Sequence, residues 1–126
     1  MKKEVILPPG ASADAPYSPA VRAGGFLFLA GAVGVNPRTK EIAAGDAAAQ
    51  TRQAMENVKD VLEAGGSSLE RVVKVQVFLT QAGDFQDMNS VFRAYFPSEP
   101  PARTTVVVKE LVAKEMLVEI DVVALA

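Results

Sequence analysis

Arg103 stands at the mouth of an apolar run in "PSEPPARTTVVV" (97–108). A guanidinium is a planar fork of N–H donors that grips a carboxylate through two parallel, charge-assisted hydrogen bonds. The prolines ahead of it restrict the backbone and would pre-position that fork. Glu119 lies in "MLVEIDVVALA" (116–126), between Leu117 and Asp121 on one face of an alternating strand. Partial burial raises a glutamate's pKa and suits it to general acid or base work. Each residue also has a plainer reading: a surface arginine at a strand edge, and a solvent-facing strand carboxylate. Position alone favours the plainer readings. Tyr17, in the loop "APYSP", either packs on a neighbouring strand or points into a pocket. Asn89 is either a polar helix-face residue or a ligand contact. Gly31 either exposes backbone N–H groups to a ligand or lets strands pack closely. "AGAVG" (30–34) is not a phosphate loop, because no Lys-Ser/Thr follows and no helix begins there.

Composition removes whole classes of chemistry. The 126 residues include no cysteine and no histidine. Disulfides, thiol nucleophiles, Cys/His zinc sites, histidine bases and a Ser-His-Asp triad are therefore unavailable. The formal net charge is -2 and no basic run occurs, whereas nucleic-acid binders rely on a dense positive patch. "MKKEVILPPG" holds too short an apolar run for a signal-peptide core, and no stretch reaches the roughly 18 apolar residues of a membrane span. The expectation is a cytoplasmic protein that binds neither membrane nor nucleic acid. Its length suits one domain over residues 1–126. Apolar residues are mostly Ala and Val, so the core is thin and part of the apolar surface is expected between subunits.

These candidates need elements to hold them. "KEVIL" (3–7) reads as a strand closed by Pro8, Pro9 and Gly10, and 11–25 as a Pro-rich loop. "FLFLAGA" (26–32) reads as a buried strand interrupted at Gly31, and 36–42 as a turn with a short strand. Residues 45–66 form the clearest helix, capped by Asp46, ended by Gly65-Gly66, with Ala48, Met55, Val58 and Leu62 inward. In "RVVKVQVFL" (71–79), Val73, Val75, Val77 and Leu79 share one face and Val72, Lys74, Gln76 and Phe78 the other. A second helix spans 84–96, with Asp84 and Asp87 as a capping pair and Phe85, Met88, Phe92, Tyr95 and Phe96 inward. Strands at 104–108 and 116–126 complete an α+β two-layer sandwich, helices on one face of the sheet. Were the last two strands a simple hairpin, Glu119 would lie near Thr105 and Arg103.

Taken together, "APYS", "GVNPRT", "AAAQTRQAMENVKDVLEAGG", "VVKVQVFLT", "DFQDMNSVFRAYF", "PPARTTV" and "VEIDVVA" resemble the RidA/YjgF family of imine/enamine deaminases, in that family's order and spacing. The resemblance implies a chorismate-mutase-like fold and a homotrimer built round a central barrel, with sites in clefts between subunits. It implies a cofactor-independent hydrolase that needs no metal and converts 2-imino or enamine acids to 2-oxo acids. It places the family's carboxylate-binding arginine on Arg103 and, allowing one extra residue within 109–117, its strand glutamate on Glu119. Its loop tyrosine falls on Tyr17, its helix asparagine on Asn89 and its strand glycine on Gly31; backbone groups near Gly31 and Thr105 would hold carboxylate and water. The chain departs from the pattern at Ala30 and Ala32, where Ser and Gln are frequent, at Pro19, where Gln is common, and at Thr105, where Cys is common. Two other readings stand beside the deaminase: a non-catalytic, small-carboxylate-binding trimer, and a ribonuclease or translation inhibitor. The charge balance and missing histidine weigh against the latter.

Overall fold

The computed structural model describes residues 2–126. Its first half is a set of antiparallel strands: β1 (Glu4–Ile6), β2 (Ala20–Ala23), β3 (Phe26–Leu29) and the two-residue β4 (Ala32–Val33). Helix α1 (Ala47–Ala64), strand β5 (Val72–Leu79), helix α2 (Phe85–Tyr95), β6 (Ala102–Val107) and β7 (Val118–Leu125) follow. All seven strands belong to one sheet, ordered β1-β2-β3-β7-β5-β6, with β4 also pairing β7. Both helices pack together over one face, giving the expected α+β two-layer sandwich. No helix among the described residues is long and apolar enough to cross a membrane.

Local chemistry explains the elements. The Asp46 side chain accepts a hydrogen bond from the Ala49 N–H at 3.1 Å, satisfying an otherwise orphaned donor at the start of α1. Gly66, with φ of 78°, takes the left-handed position that ends the helix, and Ser67 N–H returns to the Leu62 carbonyl. Met55, Val58 and Leu62 pack onto Val75, Val77, Val118, Ile120 and Val122 to make the core between the layers. Ala47 takes the fully buried place expected of Ala48, and the polar Gln50 and Thr51 are buried beside it. The Thr51 hydroxyl is satisfied by the Ala47 carbonyl at 2.6 Å.

Several expectations are corrected. Strand β2 lies inside what reads as loop; Gly24 and Gly25, both at positive φ, form the two-residue turn that folds it back onto β3. The 26–29 run is not buried on both faces: Phe26 and Phe28 point away from the helices and are 38% and 46% exposed. Val73 does not face the core, because a register shift between Val72 and Lys74 swaps the inward position to Val72. Asp84 makes no capping hydrogen bond; its backbone is already helical, and its Oδ2 is buried without a partner. Phe85 is exposed rather than inward. The 36–42 segment contributes only an isolated bridge, Val35 to Ile42. The last two strands are not a hairpin. Strand β6 pairs with β5 in parallel, through the α2 crossover, and β7 pairs antiparallel with the other edge of β5.

Ile120 is fully buried at the centre of this core. Ile120→Ala is expected to cost about 2–5 kcal/mol, read as a lowered urea midpoint, whereas truncating exposed Val112 leaves the midpoint within error.

Candidate active site

Register on β5 decides where the candidate residues go. Arg103 pairs with Val75, a core residue, so its side chain leaves the sheet on the helix side. There its guanidinium lies 4.8 Å from the Phe92 ring centroid and 5.7 Å from that of Phe85. It sits within β6, one residue beyond its start, not at the mouth of the strand. Asn89, from α2, lines the same cleft, with Pro100 and Pro101 as a stiff wall. Thr105, paired with Val77, follows Arg103 on the same face of the edge strand. Burial lowers the Arg103 pKa, and the nearby Arg93 charge lowers it further. Among the described residues no carboxylate comes within ion-pair distance of Arg103.

Glu119 points the other way. It pairs with Phe78 on one side and Val33 on the other, between buried Val118 and Ile120, and so occupies the helix-free face. Burial pushes its carboxyl above the usual carboxylate range, and the neighbouring Asp121 pushes it further. Asp121 is itself raised by burial, which a hydrogen bond from the Val122 backbone partly offsets. Gly31 adjoins Glu119 so closely that a Cβ at residue 31 would collide with Glu119 Oε2 and lie 2.9 Å from Cδ. The absent side chain is what lets the carboxylate lie against the backbone between β3 and β4.

Tyr17 occupies a third place. It is 66% exposed and lines a shallow cleft with Val5 and Leu7, next to β1. Strands β1 and β6 are the two ends of the sheet order, so Tyr17 and Arg103 belong to opposite sides of the molecule. The candidates thus form three groups: Arg103, Asn89 and Thr105 at one edge, Glu119 with Gly31 on the open face, and Tyr17 at the far edge. One chain does not bring them together.

Two polar residues that sequence reading passes over hold the Glu119 group in place. Gln50 is buried; its Nε2 donates to the Glu115 carbonyl at 3.0 Å and its Oε1 accepts from Leu117 N–H at 2.8 Å. Those bonds tie the approach to β7 onto α1, two residues before Glu119. Asn57 Nδ2 donates to the Val33 and Val35 carbonyls at 3.1 and 2.8 Å, holding the end of β4. Gly34 must lack a side chain here, since a Cβ would lie 2.8 Å from the Gln50 Cα. The signal for Gln50 was its position on the apolar stripe of α1, four residues before Ala54.

The electrostatics have a testable sign. Asp121→Asn removes a negative neighbour and lowers the Glu119 pKa, which nonetheless stays above the ordinary glutamate value because burial is the larger cause. A carboxyl-carbon NMR titration reads both effects; a Glu119 pKa unchanged or raised by the substitution contradicts this assignment.

Residues 9–126 match the Endoribonuclease L-PSP family. The chain is 47% identical to the RutC family protein of Pyrococcus horikoshii over 97% of each chain. It is 42% identical to the 2-iminobutanoate/2-iminopropanoate deaminase of Dermatophagoides farinae, over 84% of this chain and 82% of that one. It is 40% identical to the 3-aminoacrylate deaminase RutC of Acinetobacter baylyi, over 98% of each. Its fold superposes on the crystal structure of the YjgF gene product of E. coli with a TM-score of 0.89 at 36% identity, covering 97% of this chain and 98% of the other. By sequence and by fold, this chain belongs to the Endoribonuclease L-PSP family of RidA/YjgF proteins.

Proposed function

We propose that the protein hydrolyses 2-imino acids, or their enamine tautomers, to 2-oxo acids and ammonia, in clefts between the subunits of a homotrimer. The observation that carries this reading is Arg103: a half-buried guanidinium framed by aromatic rings and prolines, with no acidic partner among the described residues. Such a group is ready for a small carboxylate. The deaminase names of two relatives support the reaction class. The separation of Arg103 from Glu119 supports assembly, because one subunit's edge strand must meet another's open sheet face to complete a site. Exposed Phe28, Val106 and Leu125 on strands of that sheet suit burial between copies.

Each residue then has a task. Arg103 clamps the substrate carboxylate, with Asn89 beside it. Backbone groups at Gly31 and Thr105 help hold the carboxylate and the water. Glu119 takes a proton from that water as its oxygen bonds to the imine carbon, and the C=N bond becomes single. The nitrogen gains protons, the C–N bond breaks, and ammonia leaves as the carbonyl forms. An enamine enters the same path once protonated on carbon. Tyr17 closes the cleft from a neighbouring subunit. A raised Glu119 pKa favours this exchange, because a carboxylate pushed above its usual range by burial is a stronger base toward the water than an ordinary glutamate.

A second reading has one observation in its favour. Ala30 and Ala32 flank Gly31 without any side-chain hydrogen-bonding group. A trimer that captures small carboxylates without turnover would use Arg103 and not need Glu119. In that case the parent protein is inactive and Glu119→Gln retains full ligand affinity.

The test generates an imine in situ with an amino-acid oxidase and traps the survivor with semicarbazide. The protein is expected to lower semicarbazone yield. Arg103→Ala should lose about 10–100-fold in kcat/KM, the equivalent of one charge-assisted hydrogen bond of about 1.5–3 kcal/mol. Glu119→Gln should lose about 100–10,000-fold. Activity should rise with pH through the elevated Glu119 pKa, since the base works deprotonated, and Asp121→Asn should move that limb to lower pH. Equal trapping with and without the protein, or full activity in Arg103→Ala, rejects the deaminase.

A further inference from the structure

Arg103 is not alone in its cleft. Arg93 follows Asn89 by one turn of α2, and both side chains line the cleft of about 320 Å3 that holds Arg103. Neither guanidinium has a carboxylate within ion-pair distance among the described residues. Phe92 and Phe96, with ring centroids 4.7 Å apart, and Pro100 with Pro101 supply the rest of the wall. Two like charges thus face one partly apolar space with nothing of opposite sign to balance them. The cost is visible on Arg103, whose pKa the Arg93 charge helps to lower. A monocarboxylate balances one of these charges and leaves the other; an acid with two carboxylates balances both.

We propose that Arg93 is a specificity-determining residue, and that the Arg93–Arg103 pair selects imino or enamine acids carrying a second carboxylate. This inference rests on the deaminase reading and adds the substrate class. Arg103 keeps the carboxylate next to the reacting carbon, and Arg93 takes the distal one. The hydrolysis is unchanged in balance: one water in, one ammonia out, no electron transferred. Arg103 is half-buried against these walls, which strengthens its hold on a carboxylate relative to an open surface, whereas Arg93 is exposed and meets the distal carboxylate in a more solvated setting. Arg93 touches no reacting atom, so its effect lies in selection.

The experiment compares two imines, the three-carbon monocarboxylate formed by oxidation of alanine and the four-carbon dicarboxylate formed by oxidation of aspartate. The parent protein is expected to favour the dicarboxylate by about tenfold in kcat/KM. Arg93→Gln brings that ratio close to one, and Arg93→Lys, which keeps the charge, restores part of it. Calorimetry on the product acids gives a readout independent of turnover: oxaloacetate should bind the parent more tightly than pyruvate, and Arg93→Gln should narrow the gap. A parent ratio at or below one, or a ratio that Arg93→Gln leaves unmoved, overturns the proposal while leaving the deaminase standing. Loss of assembly in Arg93→Gln by light scattering, with no change in ratio, assigns Arg93 to the subunit interface and also overturns it. Absence of turnover on both imines rejects the deaminase instead, and the calorimetric comparison alone then decides whether the pair selects two carboxylates.

Discussion

Side chains alternate along a strand, and β5 carries the consequence of that rule for the whole site. It is hydrogen-bonded to β6 on one edge and β7 on the other, so it sets the facing of every residue on both. Val75 faces the core, and Arg103 must therefore emerge on the helix side. Phe78 faces the open side, and Glu119 must follow it there. The three-residue step between those two pairings is odd, which is why Arg103 and Glu119 lie on opposite faces. No rotamer change brings them together within one chain. Shifting the β7 register by one residue would bury Glu119 and Asp121 in the core between sheet and helices, and shifting that of β6 would turn Arg103 out of its cleft onto the open face, so the facing of β7 is held by the same apolar packing that stabilises the fold.

The two faces are supported differently. On the helix side, Arg103 is confined by aromatic rings and prolines, all rigid groups with little entropy to lose. On the open side, Glu119 is positioned through the backbone. Gln50 and Asn57 reach from α1 to the peptide groups that bracket β4 and β7, and each bond satisfies a donor or acceptor that the end of a strand would leave exposed. Polar residues on an otherwise apolar helix stripe thus serve the site from beneath the sheet. Gly31 and Gly34 are the matching omissions, one leaving room for a carboxylate and the other for a helix backbone.

Much of this was legible beforehand. Helical periodicity and end signals located α1 and α2 to within a residue or two, and alternation gave the two faces of β7 correctly. What failed did so for identifiable reasons. Strand β2 is four residues long and half-buried, so it carries no strong apolar signal, and only its Gly-Gly turn announces it. Val73 was misplaced because a bulge breaks the period of two without altering composition. Phe26, Phe28 and Phe85 read as core because aromatic residues usually are, yet all three remain exposed in the single chain.

The sequence by itself determined which chemistry is possible. With no cysteine or histidine, chemistry is left to Arg, Lys, Glu, Asp, Tyr, Ser, Thr and the backbone, and the order of the sequence segments along the chain marks the family. Only the tertiary structure decided their relation in space. A hairpin of β6 and β7 would have joined Arg103 to Glu119; the insertion of β5 between them separates the two and turns them to opposite faces. Strand order arises from which long-range pairings bury the most apolar surface, and that competition leaves no local trace in the residues being paired.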